Sequence, residues 1–113
     1  MTNLTALIEE LEDARNGSRI LDGKIEELVN PNSKPSIDRG WFIYSDNSAL
    51  YRCPDYTTIL DAKLPGEDIE HVERRSDGSW LAIDARASHQ DVVGRTEPLA
   101  RRIAALKAME DGK

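Results

Sequence analysis

The sequence predicts an α+β domain in which a small antiparallel sheet is packed with an N-terminal helix pair, a short central helix and a C-terminal helix. Three observations carry that expectation. Two amphipathic helical stretches fill the first thirty residues, alternating β-type runs separated by turn residues occupy the middle, and a Leu/Ala-rich helical stretch closes the chain. At 113 residues the whole chain, 1–113, reads as one domain.

Leu4, Leu7, Ile8, Leu11 and Ala14 fall at i, i+3, i+4, i+7 and i+10, the spacing of one helical face. Gly17 suits a position just past that helix. Ser18 then caps a second helix, with Leu21, Ile25, Leu28 and Val29 facing inward and Asn30-Pro31 ending it. Residues 31–40, rich in Pro, Ser, Asn and Gly, read as a loop. Trp41-Phe42-Ile43-Tyr44 has strand composition, and Ala49 to Cys53 returns after the turn-like Ser45-Asp46-Asn47-Ser48. Pro54-Asp55 breaks the run. Thr57 or Thr58 is expected to cap the short central helix, through Ile59, Leu60, Ala62 and Leu64 to Pro65-Gly66. Ile69 to Arg75 and Ser79 to Ala87 form a hairpin around Asp77-Gly78. Both faces of the second of these strands are partly apolar, so its buried side stays open. The last helix starts at Thr96-Glu97-Pro98 and carries Leu99, Ile103, Leu106 and Met109 at helical spacing.

Composition narrows the function classes. The formal charge is −6, from 21 acidic and 15 basic residues, which disfavours general nucleic-acid binding. Cys53 is the only cysteine, so no internal disulfide forms, and a reducing compartment is expected. Met1-Thr2-Asn3-Leu4 lacks the features of a signal peptide, and no apolar stretch approaches the ~20 residues of a membrane span. A cytoplasmic protein is therefore expected.

No catalytic constellation is expected, nor a cofactor or a metal site. His71, His89 and Cys53 lack ligand-pair spacing. Cys53, beside Arg52 and before Pro54, reads as a small buried residue rather than a nucleophile. Nucleophile-elbow, phosphate-loop and dinucleotide fingerprints are missing. The carboxylate pairs Glu9-Glu10 and Glu26-Glu27 are assigned to solvated helix faces.

Two groups of residues are candidates for binding. Trp41, Phe42, Tyr44 and Tyr51 are four of the six aromatic residues of the chain, all within residues 41–51. Core packing is the plain reading, and a protein-binding surface the sharper one. Arg95 and Thr96 mark the start of the last helix, where free amides suit an anion, and Arg101 and Arg102 are the alternative, a basic patch one turn further along. Glu97 competes for the same amides. Residues 1–30 carry seven acids and three bases, so the charge difference equally suits acidic first helices sharing a surface with a basic last one.

Three landmarks carry a family resemblance: the opening Leu-x-x-Leu-Ile-Glu-x-Leu helix with Gly17-Ser18-Arg19-x-Leu21-Asp22-x-x-Ile25, the central Tyr56-Thr57-Thr58-Ile59-Leu60-Asp61-Ala62, and the closing Thr96-Glu97-Pro98-Leu99-Ala100-Arg101-Arg102-Ile103-Ala104-Ala105-Leu106-Lys107-Ala108. Together they resemble small proteins of tailed phages and prophages with an "ABA sandwich" domain. The resemblance implies a sheet between helical layers and no catalytic residues. It leads to the expectation of a phage accessory protein that binds and inhibits a host protein, plausibly one of antiviral defence. The alternatives are a sponge that sequesters a small nucleotide signal, and a structural or regulatory phage protein. Monomer and homo-oligomer both fit the sequence.

Overall fold

The computed structural model describes the backbone at 33–35, 41–44, 50–52 and 111, and backbone with side chains at 3–30, 53–87 and 91–110. Helix α1, Leu4–Asp13, begins where Asn3 Oδ1 accepts from Thr5 N at 2.8 Å, and it buries Leu7, Ile8 and Leu11. Helix α2, Arg19–Val29, is capped by Ser18, whose Oγ accepts from Leu21 N at 3.1 Å. Its inward face holds Leu21 and Ile25, and beside them two carboxylates, Asp22 and Glu26.

The β segments form two three-stranded antiparallel sheets rather than one. The first comprises β1 (Ser33–Pro35), β2 (Trp41–Tyr44) and β3 (Leu50–Arg52), in that order. Strand β1 lies in the stretch expected to be loop: Ser33 pairs with Tyr44 and Pro35 with Phe42. Proline is tolerated there because β1 is an edge strand. The second sheet comprises β4 (Ile69–Arg74), β5 (Trp80–Asp84) and β6 (Val92–Gly94). Strand β6 has no counterpart in the sequence reading. Strand β5 stops at Asp84 and continues into a 3-10 turn, Ala85–Ala87.

The β4–β5 hairpin turns as expected near Asp77-Gly78. Arg75 N donates to Ser79 O at 2.8 Å, leaving the three-residue loop 76–78. Gly78 sits at φ +89°, a conformation glycine enters without strain, and the Asp77 side chain accepts from both Ser79 N and Oγ. The inner side of β5 is Trp80, Ala82 and Asp84, and the outer side Leu81 and Ile83.

Helix α3, Glu97–Asp111, is the centre of the core. Leu99, Ile103 and Leu106 are fully buried, and so are Ala100 and Ala105, with Ala104 and Ala108 nearly so. One side packs on α1 and the other on β4, β5 and β6. The middle layer here is a helix, whereas the family resemblance implies a sheet. Its alanines let both neighbours approach closely. At Gly94 a Cβ would lie 2.6 Å from Ala100 N, so β6 rests against the backbone of α3. Of the first two helices α1 packs on α3, where Lys107 Nζ lies 3.1 Å from Glu12 Oε2 and Thr5 Oγ1 donates to Glu110 Oε2 at 2.7 Å.

The short central helix is not formed. Residues 56–61 make turns, and the segment 53–68 is otherwise irregular. A helix there would need the carbonyls of Tyr56, Ile59 and Leu60 for its own amides; a guanidinium donates to all three, and the one backbone amide that also reaches Ile59 O is that of Ala62, three residues on, in a turn.

Candidate functional site

That guanidinium belongs to Arg102, and its position corrects the expectation of a basic patch at Arg101 and Arg102. Arg102 is 0% exposed. Its Nε donates to Tyr56 O at 2.9 Å, its Nη2 to Ile59 O at 2.9 Å and Leu60 O at 2.6 Å, and its Nη1 to Glu67 Oε2 at 2.7 Å. Glu67 is equally hidden, and its other oxygen accepts from Leu64 N at 3.2 Å. Burial pushes the Glu67 carboxyl up and the Arg102 guanidinium down, each opposed by the charge of the other. With its donors spent inside the fold, Arg102 presents nothing to an external anion.

Two carboxylates of α2 hold the other side of the same segment. Thr57 donates to Asp22 Oδ1 through its backbone N at 2.8 Å and its hydroxyl at 2.6 Å. The hydroxyl also accepts from Ser18 N at 2.9 Å. Burial raises the Asp22 pKa, against the lowering effect of the Thr57 bonds. Tyr56 Oη donates to Glu26 Oε1 at 2.7 Å. Glu26 is therefore a buried hydrogen-bond acceptor, not part of a solvated face as its sequence position suggests. Gly17 makes this fit sterically feasible, since a Cβ there would fall 2.1 Å from Thr57 O. Among the described residues every buried side-chain nitrogen and oxygen has a partner, so this network is complete without a ligand.

A fourth buried acid, Asp84, ties the end of β5. Asp84 Oδ1 accepts from Arg86 N and Nε, both at 2.9 Å, and Oδ2 accepts from Arg86 Nη2 at 2.8 Å and Asp68 N at 3.1 Å. Burial alone would raise its pKa, but the Arg86 bonds prevail and hold it below its ordinary 3.8. A depressed carboxyl contributes stability above its unfolded value and loses it as pH falls through the folded one. Asp22 and Glu67 act in the opposite sense: their contribution is complete below their ordinary values, 3.8 and 4.5, and is lost as pH rises through the raised ones. Asp84→Asn is therefore expected to flatten the fall in unfolding free energy below pH 3.8, checked by urea titrations across the acid range. An unchanged acid slope would remove Asp84 as its source.

The other sequence-selected residues divide as follows. Thr96 Oγ1 accepts from Leu99 N at 3.4 Å, a long helix cap. Arg101 pairs with Glu97 one turn earlier, Nη2 to Oε2 at 2.7 Å. Arg95 is exposed, with no ion pair among the described residues. Trp41, Phe42 and Tyr44 lie on β2 and Tyr51 on β3, with Phe42 and Tyr51 directly paired in register, so the first sheet brings the four together along the backbone. Their side chains lie outside the described residues. Cys53 is buried, as its sequence context suggests, and its Sγ lies 3.5 Å from Pro54 O. His71 sits on the surface against Glu73, Nε2 to Oε1 at 3.0 Å, and His89 is outside the described residues.

Sequence reasoning missed the Ile59–Leu60 pair. These side chains are 49% and 41% exposed, on a turn whose carbonyls are fixed from beneath by Arg102. Ile20, 73% exposed, stands in the first turn of α2, whose cap Ser18 bonds Thr57. The signal available was Arg102 itself, which falls at i+3 from Leu99 and i−4 from Leu106, on the apolar face of α3.

Comparison with family models, with curated proteins and with solved structures gives no match. The phage resemblance thus rests on the sequence landmarks alone. No described helix is long and apolar enough to cross a membrane.

Proposed function

We propose that this chain is a phage accessory protein that binds and inhibits a protein of the host cell. The observation that carries the binding part of this reading is the Ile59–Leu60 turn. Exposed apolar side chains are ordinary singly, but these two are adjacent and their backbone is fixed by bonds to a buried cation. A partner would lose little conformational entropy in seating them, which favours affinity. Acidic side chains are exposed on this turn and on α1: Asp61 next to Leu60, and Glu9 and Asp13 on the helix. An apolar socket rimmed by basic groups, as on a nucleic-acid-handling protein, is the matching surface. The aromatic strands β2 and β3, with Trp41, Phe42, Tyr44 and Tyr51, would add anchors. The antiviral-defence setting comes from the family resemblance.

The nucleotide-sponge alternative at Arg95, Thr96, Arg101 and Arg102 is disfavoured by geometry, because Arg102 is buried and Arg101 is paired with Glu97. Native mass spectrometry of tagged protein from infected cells tests the inhibitor reading. The wild type is expected to retain one host protein stoichiometrically. The double variant Ile59→Glu/Leu60→Glu is expected to weaken that complex by roughly thirtyfold, the cost of losing a hot spot of about 2 kcal/mol, with unchanged thermal unfolding. Recovery of the bare chain, or a complex undiminished both in that variant and in Trp41→Ala/Tyr44→Ala, would overturn the reading.

A further inference from the structure

We infer that the outer face of the β4–β5–β6 sheet is a contact surface for a second copy of this chain, packed face to face with its strands reversed. Helix α3 covers the inner face, where Ala82, Asp84 and Val92 are buried. An antiparallel sheet covered on one side alone is expected to carry polar residues on the other. The middle strand does not. Its outward positions are Leu81 and Ile83, both partly exposed, and Val93 on β6 is 39% exposed. Leu81 and Val93 are register partners and Ile83 follows Leu81 on the same side, so the three form one apolar strip.

The charges around the strip argue for a second copy as its cover. Arg75 N donates to Ser79 O, and Arg95 follows Gly94, the partner of Trp80, so Arg75, Ser79 and Arg95 form the row at the turn end. Glu73, Leu81 and Val93 form the middle row. His71 pairs with Ile83, and Asp91, one residue before Val92, completes the third row by the same register. Two arginines thus stand at one end and Asp91 at the other, with Glu73 between them at the β4 edge. The carboxylates and arginines of this face balance, whereas the whole chain has six more acids than bases. Two copies therefore repel over most other approaches and least over this one.

Two sheets related by a twofold axis face each other, when aligned, in two ways. With the axis along the strands, Arg75 of one copy lies over Arg95 of the other, twice, and like charges oppose the contact. With the axis across the strands through Leu81, the strip lies on itself, Leu81 on Leu81 and Val93 on Val93. Arg95 then lies over Asp91 of the second copy, again twice. Arg75 faces a His71 ring that is already bonded to Glu73 at 3.0 Å. The two Glu73 carboxylates meet at the rim, each about 7 Å along the strand direction from Arg75 of the other copy. Charge selects this second arrangement. The face measures about 10 by 14 Å between its outer α-carbons. With side-chain overhang it offers roughly half of the ~800 Å² per partner of a standard interface, so the dimer is a weak one. This surface does not involve Ile59 and Leu60, and it is independent of the inhibitor reading.

Sedimentation equilibrium of the full chain, from about 10 µM to about 1 mM at neutral pH, tests the inference. The weight-average mass is expected to rise from the 12.7 kDa of one chain toward twice that value, with a Kd of about 100 µM. Val93→Lys, at an exposed position, is expected to weaken the dimer at least about tenfold with unchanged thermal unfolding. Arg95→Glu and Asp91→Arg are each expected to weaken it similarly, because each sets like charges over one another. Combining the two is expected to restore association, an outcome that a change confined to one chain does not produce. A monomer throughout the range, a dimer undiminished by Val93→Lys, or a combined variant as weak as its single parents would overturn the inference, the first leaving this face to a different protein.

Discussion

Arg102→Met is expected to lower the unfolding free energy by about 3–5 kcal/mol, a large share of what a domain of this size possesses. Methionine fills most of the space but leaves Glu67 buried with only the Leu64 amide, and removes the guanidinium bonds to the carbonyls of Tyr56, Ile59 and Leu60, of which Ile59 O keeps the Ala62 amide at 3.3 Å. Most of the cost is the stranded carboxylate. The double variant Arg102→Met/Glu67→Leu should therefore recover a substantial part of the loss, because an apolar pair replaces a buried ion pair with little penalty. Full recovery is not expected, since the carbonyls of Tyr56, Ile59 and Leu60 still lack the guanidinium bonds of the wild type. Urea denaturation of the two variants checks both statements. A single-variant loss below about 1 kcal/mol would mean that water reaches the segment and that the 56–60 turn is not fixed as described.

Thr57→Val is expected to cost about 1.5–3 kcal/mol, the range for a hydrogen bond to a charged group. The substitution conserves shape, so the effect isolates the hydroxyl. Asp22 would keep the Thr57 backbone amide but lose its 2.6 Å bond, and Ser18 N would lose its acceptor. A sign in pH follows. The Thr57 bonds are what oppose the upward push of burial on Asp22, so their loss raises that carboxyl further. The deficit of the variant should shrink as pH falls toward 3.8, where Asp22 becomes protonated in the folded and unfolded chains alike. Thermal unfolding of both proteins between neutral and acid pH measures it. A deficit independent of pH would assign the cost to the lost Ser18 bond and to packing instead of Asp22.

The three long helices were legible because periodicity and caps agree: Asn3 and Ser18 cap where a capping residue precedes an apolar stripe, and Pro98 lies in the first turn of α3. The β4–β5 hairpin was legible from Asp77-Gly78 for the same reason. Strands β1 and β6 were not, because three residues carry no alternation, and their pairing is decided by β2 and β5. The segment 56–64 shows local preference overridden. Thr57, Ile59, Leu60, Ala62 and Leu64 favour a short helix, and a cation about forty residues away captures the carbonyls that helix would use. Glu26 and Arg102 were read as surface charges because each stands beside a second charge, Glu27 or Arg101. A charged residue on the apolar side of a helix is the sign that separates the buried member of such a pair. At the candidate sites, Arg95 could be named from the sequence.

The position of α3 at the middle of the core bears on how the chain acquires its structure during synthesis. Helix α1 and the β4–β5–β6 sheet do not bury their apolar faces on each other in the main; both bury them on residues 97–111, made after them. Until that stretch has left the ribosome, Leu7, Ile8, Leu11, Ala82 and Val92 lack their principal cover. Cooperative folding then waits for contacts spanning up to about a hundred residues of chain, the kind of long-range closure that slows folding. The nascent protein is consequently a natural client for chaperones that shield apolar surface, and its vulnerability to proteases is greatest just before α3 emerges.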